Sequence, residues 1–133
     1  MDLDKVLEEC RNEVEKVGRV RGFPSDLSGV CTISSYRLFK RLKKAGISGE
    51  IIVMNFKNGS SHCWIESSGK VFDLTMTQFG REKIVKEKRQ KYLKLLFSNK
   101  VVKVVEKSCF RFDCEKDFKK YLVESGWQKK QIP

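Results

Sequence analysis

The feature that most constrains the fold is the segment HCWIESSGKVFDLT, residues 62–75. Two runs of strand-forming residues flank Ser68-Gly69, a dipeptide suited to a two-residue hairpin turn. A tight turn fixes the register, and the alternation of side chains then fixes the faces. Trp64 is predicted opposite Asp73 and His62 opposite Thr75, with all four on one face of the sheet. The other face receives Cys63, Ile65, Phe72 and Leu74 and reads as core. His62 and Asp73 become diagonal neighbours with Cβ atoms roughly 5 to 8 Å apart, a gap that an imidazole–carboxylate hydrogen bond spans. Asp73 places a carboxylate among apolar residues, which costs free energy unless a partner compensates it. His62, the single histidine of the chain, follows a turn expected at "KNGS" and so stands at a sheet end within reach of a reactant.

Around this hairpin the chain reads as α+β with a mostly antiparallel sheet. Residues 2–17 carry Leu3, Val6, Leu7, Cys10, Val14 and Val17 on one helical stripe, with Asp2 as N-cap and Gly18 as stop. A loop at 19–29 leads to a second helix, capped by Ser28 and ending at Gly46. "EIIVMNF" is a strand before the hairpin, and 81–97 reads as a strongly basic helix. "KVVKVVE" alternates as a strand, "CFRFD" extends the sheet, and "CEKDFKKYLVES" forms a last helix closed by Gly126. Trp127 is expected to pack on the core, and "QKKQIP" to form a loose tail. The expectation is one domain over residues 1–133, with a motif-bearing core at 23–80 and the basic helix and further elements at 81–127.

Composition narrows the class. With 133 residues, 40% hydrophobic, the chain can build a core. It has no apolar run of membrane-spanning length, and its acidic, amphipathic start is unlike a secretion signal. A cytoplasmic protein without a membrane span is expected. The five cysteines are an odd number with no scaffold spacing, so reduced thiols are expected. No four-ligand zinc pattern emerges, and neither metal nor cofactor is implied. Net charge is +11, concentrated between Arg81 and Lys103. Such a surface attracts polyanions, although aromatic residues do not interleave with the charges as a stacking platform requires.

Cys31 falls in the first turn of the second helix, where free N–H groups and the helix dipole favour a thiolate. Gly29 leaves the approach unshielded. Cysteine, histidine and aspartate each have ordinary structural roles when taken singly. Together they match the needs of thiol catalysis: a nucleophile, a proton shuttle and a carboxylate that orients the imidazole.

The order Gly29-Val30-Cys31 entering a helix, His62-Cys63-Trp64-Ile65-Glu66 on a strand and Asp73-Leu74-Thr75 on the next resembles the transglutaminase-like branch of the papain-like cysteine hydrolases. The continuation Met76-Thr77-Gln78-Phe79 resembles bacterial and phage members with Thr-x-x-Gln-Phe after the aspartate. The resemblance spans residues 23–80. It implies a papain-like core in which the cysteine-bearing helix packs on an antiparallel sheet carrying histidine and aspartate. It further implies a catalytic triad of Cys31, His62 and Asp73 attacking an amide carbonyl of a protein or peptide through a thioester, as protease, deamidase or transglutaminase-like acyltransferase. "FPSDLSGVC" lacks the Gln or Asn that papain-type enzymes place before the cysteine for the oxyanion. The Cys31 N–H, with another backbone donor or a hydroxyl such as Ser28, is the substitute. Trp64 and Gln78 are further candidates for lining the substrate site, each with a structural alternative in packing or capping. The remaining cysteines read as small core residues. The rival reading is a non-enzymatic basic module, or a degenerate triad scaffold, that binds nucleic acid or an acidic protein through 81–103.

Overall fold

Helix α1 (Leu3–Arg21) begins where Asp2 accepts a hydrogen bond from the Lys5 N–H. It runs past Gly18, expected to end it, because the cap that satisfies its last carbonyls is Gly22 at φ 76°. The structure, a computed structural model, describes residues 2–22, 30–56, 61–79, 81–97 and 106–128. Helix α2 (Cys31–Lys44) starts after Val30, with no side-chain cap, so the helix begins later than a Ser28 cap requires. Ser28, the "KNGS" turn, most of "KVVKVVE" and residues 129–133 lie outside the described residues.

Strands β1 (Glu50–Phe56), β2 (Ser61–Ser67), β3 (Lys70–Asp73), β4 (Val85–Lys88) and β5 (Glu106–Phe112) form an antiparallel sheet in the order β4-β3-β2-β1-β5. The β2–β3 hairpin pairs Ile65 with Phe72, Glu66 with Val71 and Ser67 with Lys70, the register expected from a Ser68-Gly69 turn. Both turn residues have positive φ, 51° at Ser68 and 77° at Gly69. A 3₁₀ turn (Met76–Phe79) follows β3. Helices α3 (Arg89–Phe97) and α4 (Glu115–Glu124) complete an α+β arrangement. The basic helix expected over 81–97 is therefore shorter. Val85–Lys88 instead pairs with β3, supplying partners to backbone groups that β3 would otherwise leave open.

Both sheet faces are covered. Leu7 and Cys10 from α1, Tyr36, Leu38 and Leu42 from α2, and Phe118 and Leu122 from α4 pack on Ile51, Val53, Cys63, Ile65 and Phe72. On the opposite face Met76, Tyr92 and Leu96 pack on Ile52, Met54, Trp64 and Val71. Trp127 packs at the edge of the core, as expected. Every β2 residue from His62 to Ser67 is buried, so His62 does not stand at the accessible sheet end expected of it. No helix among the described residues is long and apolar enough to cross a membrane.

One cation ties the first helix to the end of β3. Arg11 is buried, and its Nη1 donates to the carbonyls of Leu74 (2.5 Å) and Lys83 (3.4 Å) and to Thr77 Oγ1 (3.1 Å), while Nε meets Glu15 at 3.1 Å. These bonds hold the chain as it leaves Asp73. Arg41 similarly clamps α2 to α1 through Glu9 and Glu13, both at 2.6 Å. Replacing Arg11 with Met keeps the apolar stem but leaves the Leu74 carbonyl without its donor. The expected loss is about 3 kcal/mol, seen as a lowered urea midpoint with an unchanged slope.

Candidate active site

Asp73 ends β3 with its carboxylate facing inward at 2% exposure. Burial of that charge is compensated on both oxygens. Oδ1 accepts from the Thr75 N–H (2.8 Å) and hydroxyl (3.1 Å), closing a small turn that ends the strand. Oδ2 meets His62 Nε2 at 2.7 Å and accepts from the Tyr92 hydroxyl at 2.6 Å. His62, on the neighbouring strand, is 0% exposed. Continuing the hairpin register sets Trp64 opposite Asp73, so His62 and Asp73 are the diagonal pair expected.

Cys31 is the first residue of α2 and is 8% exposed. Its thiol hydrogen-bonds the side chains of both Cys63 and His62 and the backbone of Cys63. Neighbours on a strand point to opposite faces, so this threefold contact needs a sulfur at the strand's edge. The sheet provides one. β3 stops at Asp73, and beyond it β2 lacks a partner on that side. Because Nε2 is taken by Asp73, the imidazole meets the thiol through Nδ1.

The contacts order the protons. Cys31 is held well below the usual thiol value, first by the hydrogen bond from Cys63, which together with His62 outweighs burial. Burial alone pushes His62 down, yet the Asp73 carboxylate and the Cys31 sulfur raise it to about 10. Asp73 is lowered against its own burial by His62, Tyr92 and the Thr75 N–H. Cys63 is pushed well up by the adjacent Cys31 and by burial and stays a neutral donor. The directions of these shifts favour a thiolate–imidazolium pair backed by a carboxylate.

The structure thus brings together Cys31, His62 and Asp73 and adds two residues that the sequence reading missed. Tyr92 was hidden in a stretch read as a basic helix. The signal for it was the need of a buried carboxylate for more than one donor. Cys63 lies in the core as expected, and there its thiol interacts with Cys31 and lies 3.7 Å from Thr32 Oγ1. Cys114 departs from the core reading, since its sulfur caps α4 by accepting from the Asp117 N–H at 3.4 Å. Cys109 is only partly buried, whereas Cys10 is a core residue. Trp64 is fully buried between the rings of His62 (5.9 Å) and Tyr92 (5.0 Å), as a packing wall for the imidazole rather than an exposed substrate contact. Gln78 lies in the 3₁₀ turn after Asp73. In the basic region, Lys83, Lys86, Arg89 and Lys91 form ion pairs with Glu15, Asp4, Glu66 and Glu87. Its described surface is therefore of mixed sign.

A family model described as YunG protein matches residues 43–107, just under half of the chain. The matched span holds His62, Asp73 and Tyr92 and begins after Cys31. No curated protein and no solved structure matches the chain.

Titration of the site limits stability on both sides. His62, raised from 6.5 to about 10, contributes stability that is full below 6.5 and lost as pH rises through about 10. Asp73, lowered from 3.8, contributes stability present above that value and lost as pH falls through its folded value. Tyr92→Phe deletes one donor to the carboxylate. It is expected to lower stability by about 1.5–3 kcal/mol and to move the acid unfolding midpoint to higher pH, read by circular dichroism. An unchanged acid midpoint would mean that Tyr92 does not hold the charge of Asp73.

Proposed function

We propose that the chain is a cysteine hydrolase or acyltransferase of papain-like, transglutaminase-like architecture, acting on an amide carbonyl of a protein or peptide. The observation that carries this reading is the Cys31–His62–Asp73 relay, with its thiolate at the start of a helix and its carboxylate buried behind the imidazole. A cysteine-bearing helix packed on an antiparallel sheet with histidine and aspartate on adjacent strands supports the architecture. Cysteines held as thiols rather than disulfides fit a reducing cytoplasm.

In the proposed reaction the Cys31 sulfur attacks the carbonyl carbon, and the carbonyl electron pair moves to oxygen. The free N–H groups of the first turn of α2, that of Cys31 among them, suit the developing oxyanion. The tetrahedral adduct collapses as His62 Nδ1 gives its proton to the leaving amine and the C–N bond breaks. Water or an amine then attacks the thioester while His62 takes its proton, and the thiolate departs. Throughout, Nε2–H donates to Asp73, which fixes the tautomer and steadies the imidazolium.

Two probes test the reading together. Iodoacetamide is expected to alkylate Cys31 selectively, with an inflection well below 9, and His62→Ala moves that inflection up toward an ordinary thiol. p-Nitrophenyl acetate is expected to leave an acetyl group on Cys31 with a burst of nitrophenol, slowed by about 10²–10⁴-fold in His62→Ala. Alkylation spread over all cysteines, or a pH profile indifferent to His62, would overturn the proposed mechanism.

A further inference from the structure

Cys63 has no step in the acyl-transfer scheme, yet its thiol is in hydrogen-bonding contact with the nucleophile. Two further contacts fix the pair. The Cys63 backbone reaches the Cys31 sulfur, and Thr32, the next residue of α2, holds the Cys63 sulfur at 3.7 Å through its hydroxyl. Cys31 and Thr32, consecutive at the start of α2, therefore both lie against the Cys63 side chain, the two cysteines share one buried cluster, and neither is in a disulfide. The other three thiols are placed differently: Cys10 lies on α1, Cys109 on the far-edge strand β5, and Cys114 caps α4.

We propose that Cys31 and Cys63 are a redox pair, in which a hydroperoxide oxidises Cys31 and Cys63 resolves the product as a reversible Cys31–Cys63 disulfide. In the first step the Cys31 sulfur attacks the terminal oxygen of the hydroperoxide and the O–O bond breaks. Sulfur is oxidised to a sulfenic acid, and the peroxide leaves as water or an alcohol after taking a proton. In the second step the Cys63 sulfur attacks the Cys31 sulfur, the S–OH bond breaks, and the Cys63 proton leaves with hydroxide as water. One peroxide is reduced and two thiols become one disulfide. Two molecules of a low-molecular-weight thiol, leaving as their own disulfide, supply the two electrons and two protons that reverse the change. Cys31, as a thiolate, is the one attacked by peroxide, and Cys63, kept protonated, waits as the resolving partner. The disulfide would remove the nucleophile without irreversible oxidation. That consequence rests on the acyl-transfer reading, whereas the bond itself does not.

The test uses the full chain and hydrogen peroxide at neutral pH, followed by blocking of free thiols and non-reducing peptide mass spectrometry. The expected product is a Cys31 peptide linked to a Cys63 peptide in monomeric protein, reversed by dithiothreitol. In Cys63→Ser the linkage is lost, a dimedone-reactive sulfenic acid appears at Cys31, and prolonged exposure yields sulfinic acid. The wild-type linkage decides the matter even if that variant folds poorly. Oxidation of wild-type Cys31 straight to sulfinic acid with Cys63 still free, linkage through Cys10, Cys109 or Cys114, or no oxidation at all would each overturn the proposal. Since no acyl substrate is used, a negative result leaves the hydrolase reading to its own probes.

Discussion

The buried carboxylate of Asp73 sets the terms for everything around it. A charge with 2% exposure must be neutralised or hydrogen-bonded from within. Here the Thr75 N–H and hydroxyl take one oxygen, and His62 and Tyr92 take the other. These donors come from a turn, a neighbouring strand and a helix on the far face of the sheet. The hairpin, the termination of β3 and the docking of α3 therefore meet in one side chain. Arg11 reinforces the same point from α1 by holding the Leu74 carbonyl, next along the chain from Asp73.

Ending β3 at Asp73 has a second consequence. The turn that satisfies Oδ1 closes where the strand ends, so the β2–β3 pairing stops short of His62 and Cys63. A thiol lying over a continuous sheet would meet only one set of side chains. Cys31 interacts with the side chains of both His62 and Cys63, neighbours on β2, and with the Cys63 backbone. The interaction that makes the aspartate tolerable thus also makes room for the nucleophile. The hydroxyl of Tyr92 adds to this from behind, since its bond to Oδ2 stabilises the ionised carboxylate without competing for the imidazole's second nitrogen.

The legible parts of this arrangement were those governed by local rules. A two-residue turn and strict alternation were enough to put His62 and Asp73 on one face in the correct register, because nothing outside residues 62–75 enters that argument. The N-terminal placement of Cys31 followed from helix-start chemistry, although Val30 rather than Ser28 precedes the helix. What sequence reading missed depends on contacts between distant elements. Charged residues with good helix propensity concealed β4, which forms because β3 needs a partner on its outer side. Tyr92 belongs to the site only once α3 folds across the sheet. Alternation assigned Cys63 to the core face correctly, but not the strand-edge position of Cys31 that brings the two sulfurs together.

Burial also shapes how such a site can be approached. His62 is 0% exposed, while Cys31 as a residue retains 8%, so the imidazole is the more enclosed of the two. Asp73 occupies Nε2 and Trp64 packs beside the ring, which leaves Nδ1 as the nitrogen through which a proton can leave. In the proposed acyl transfer, a leaving group would take its proton from beside the sulfur that displaces it. The thiolate and imidazolium cost desolvation in this setting, and the carboxylate with its four donors offsets that cost while remaining out of reach of solvent. Fixed donors in a water-poor site need little reorganisation as charge moves from sulfur to oxygen. The low exposure of Cys31, His62 and Asp73 is thus compatible with the proposed chemistry at Cys31.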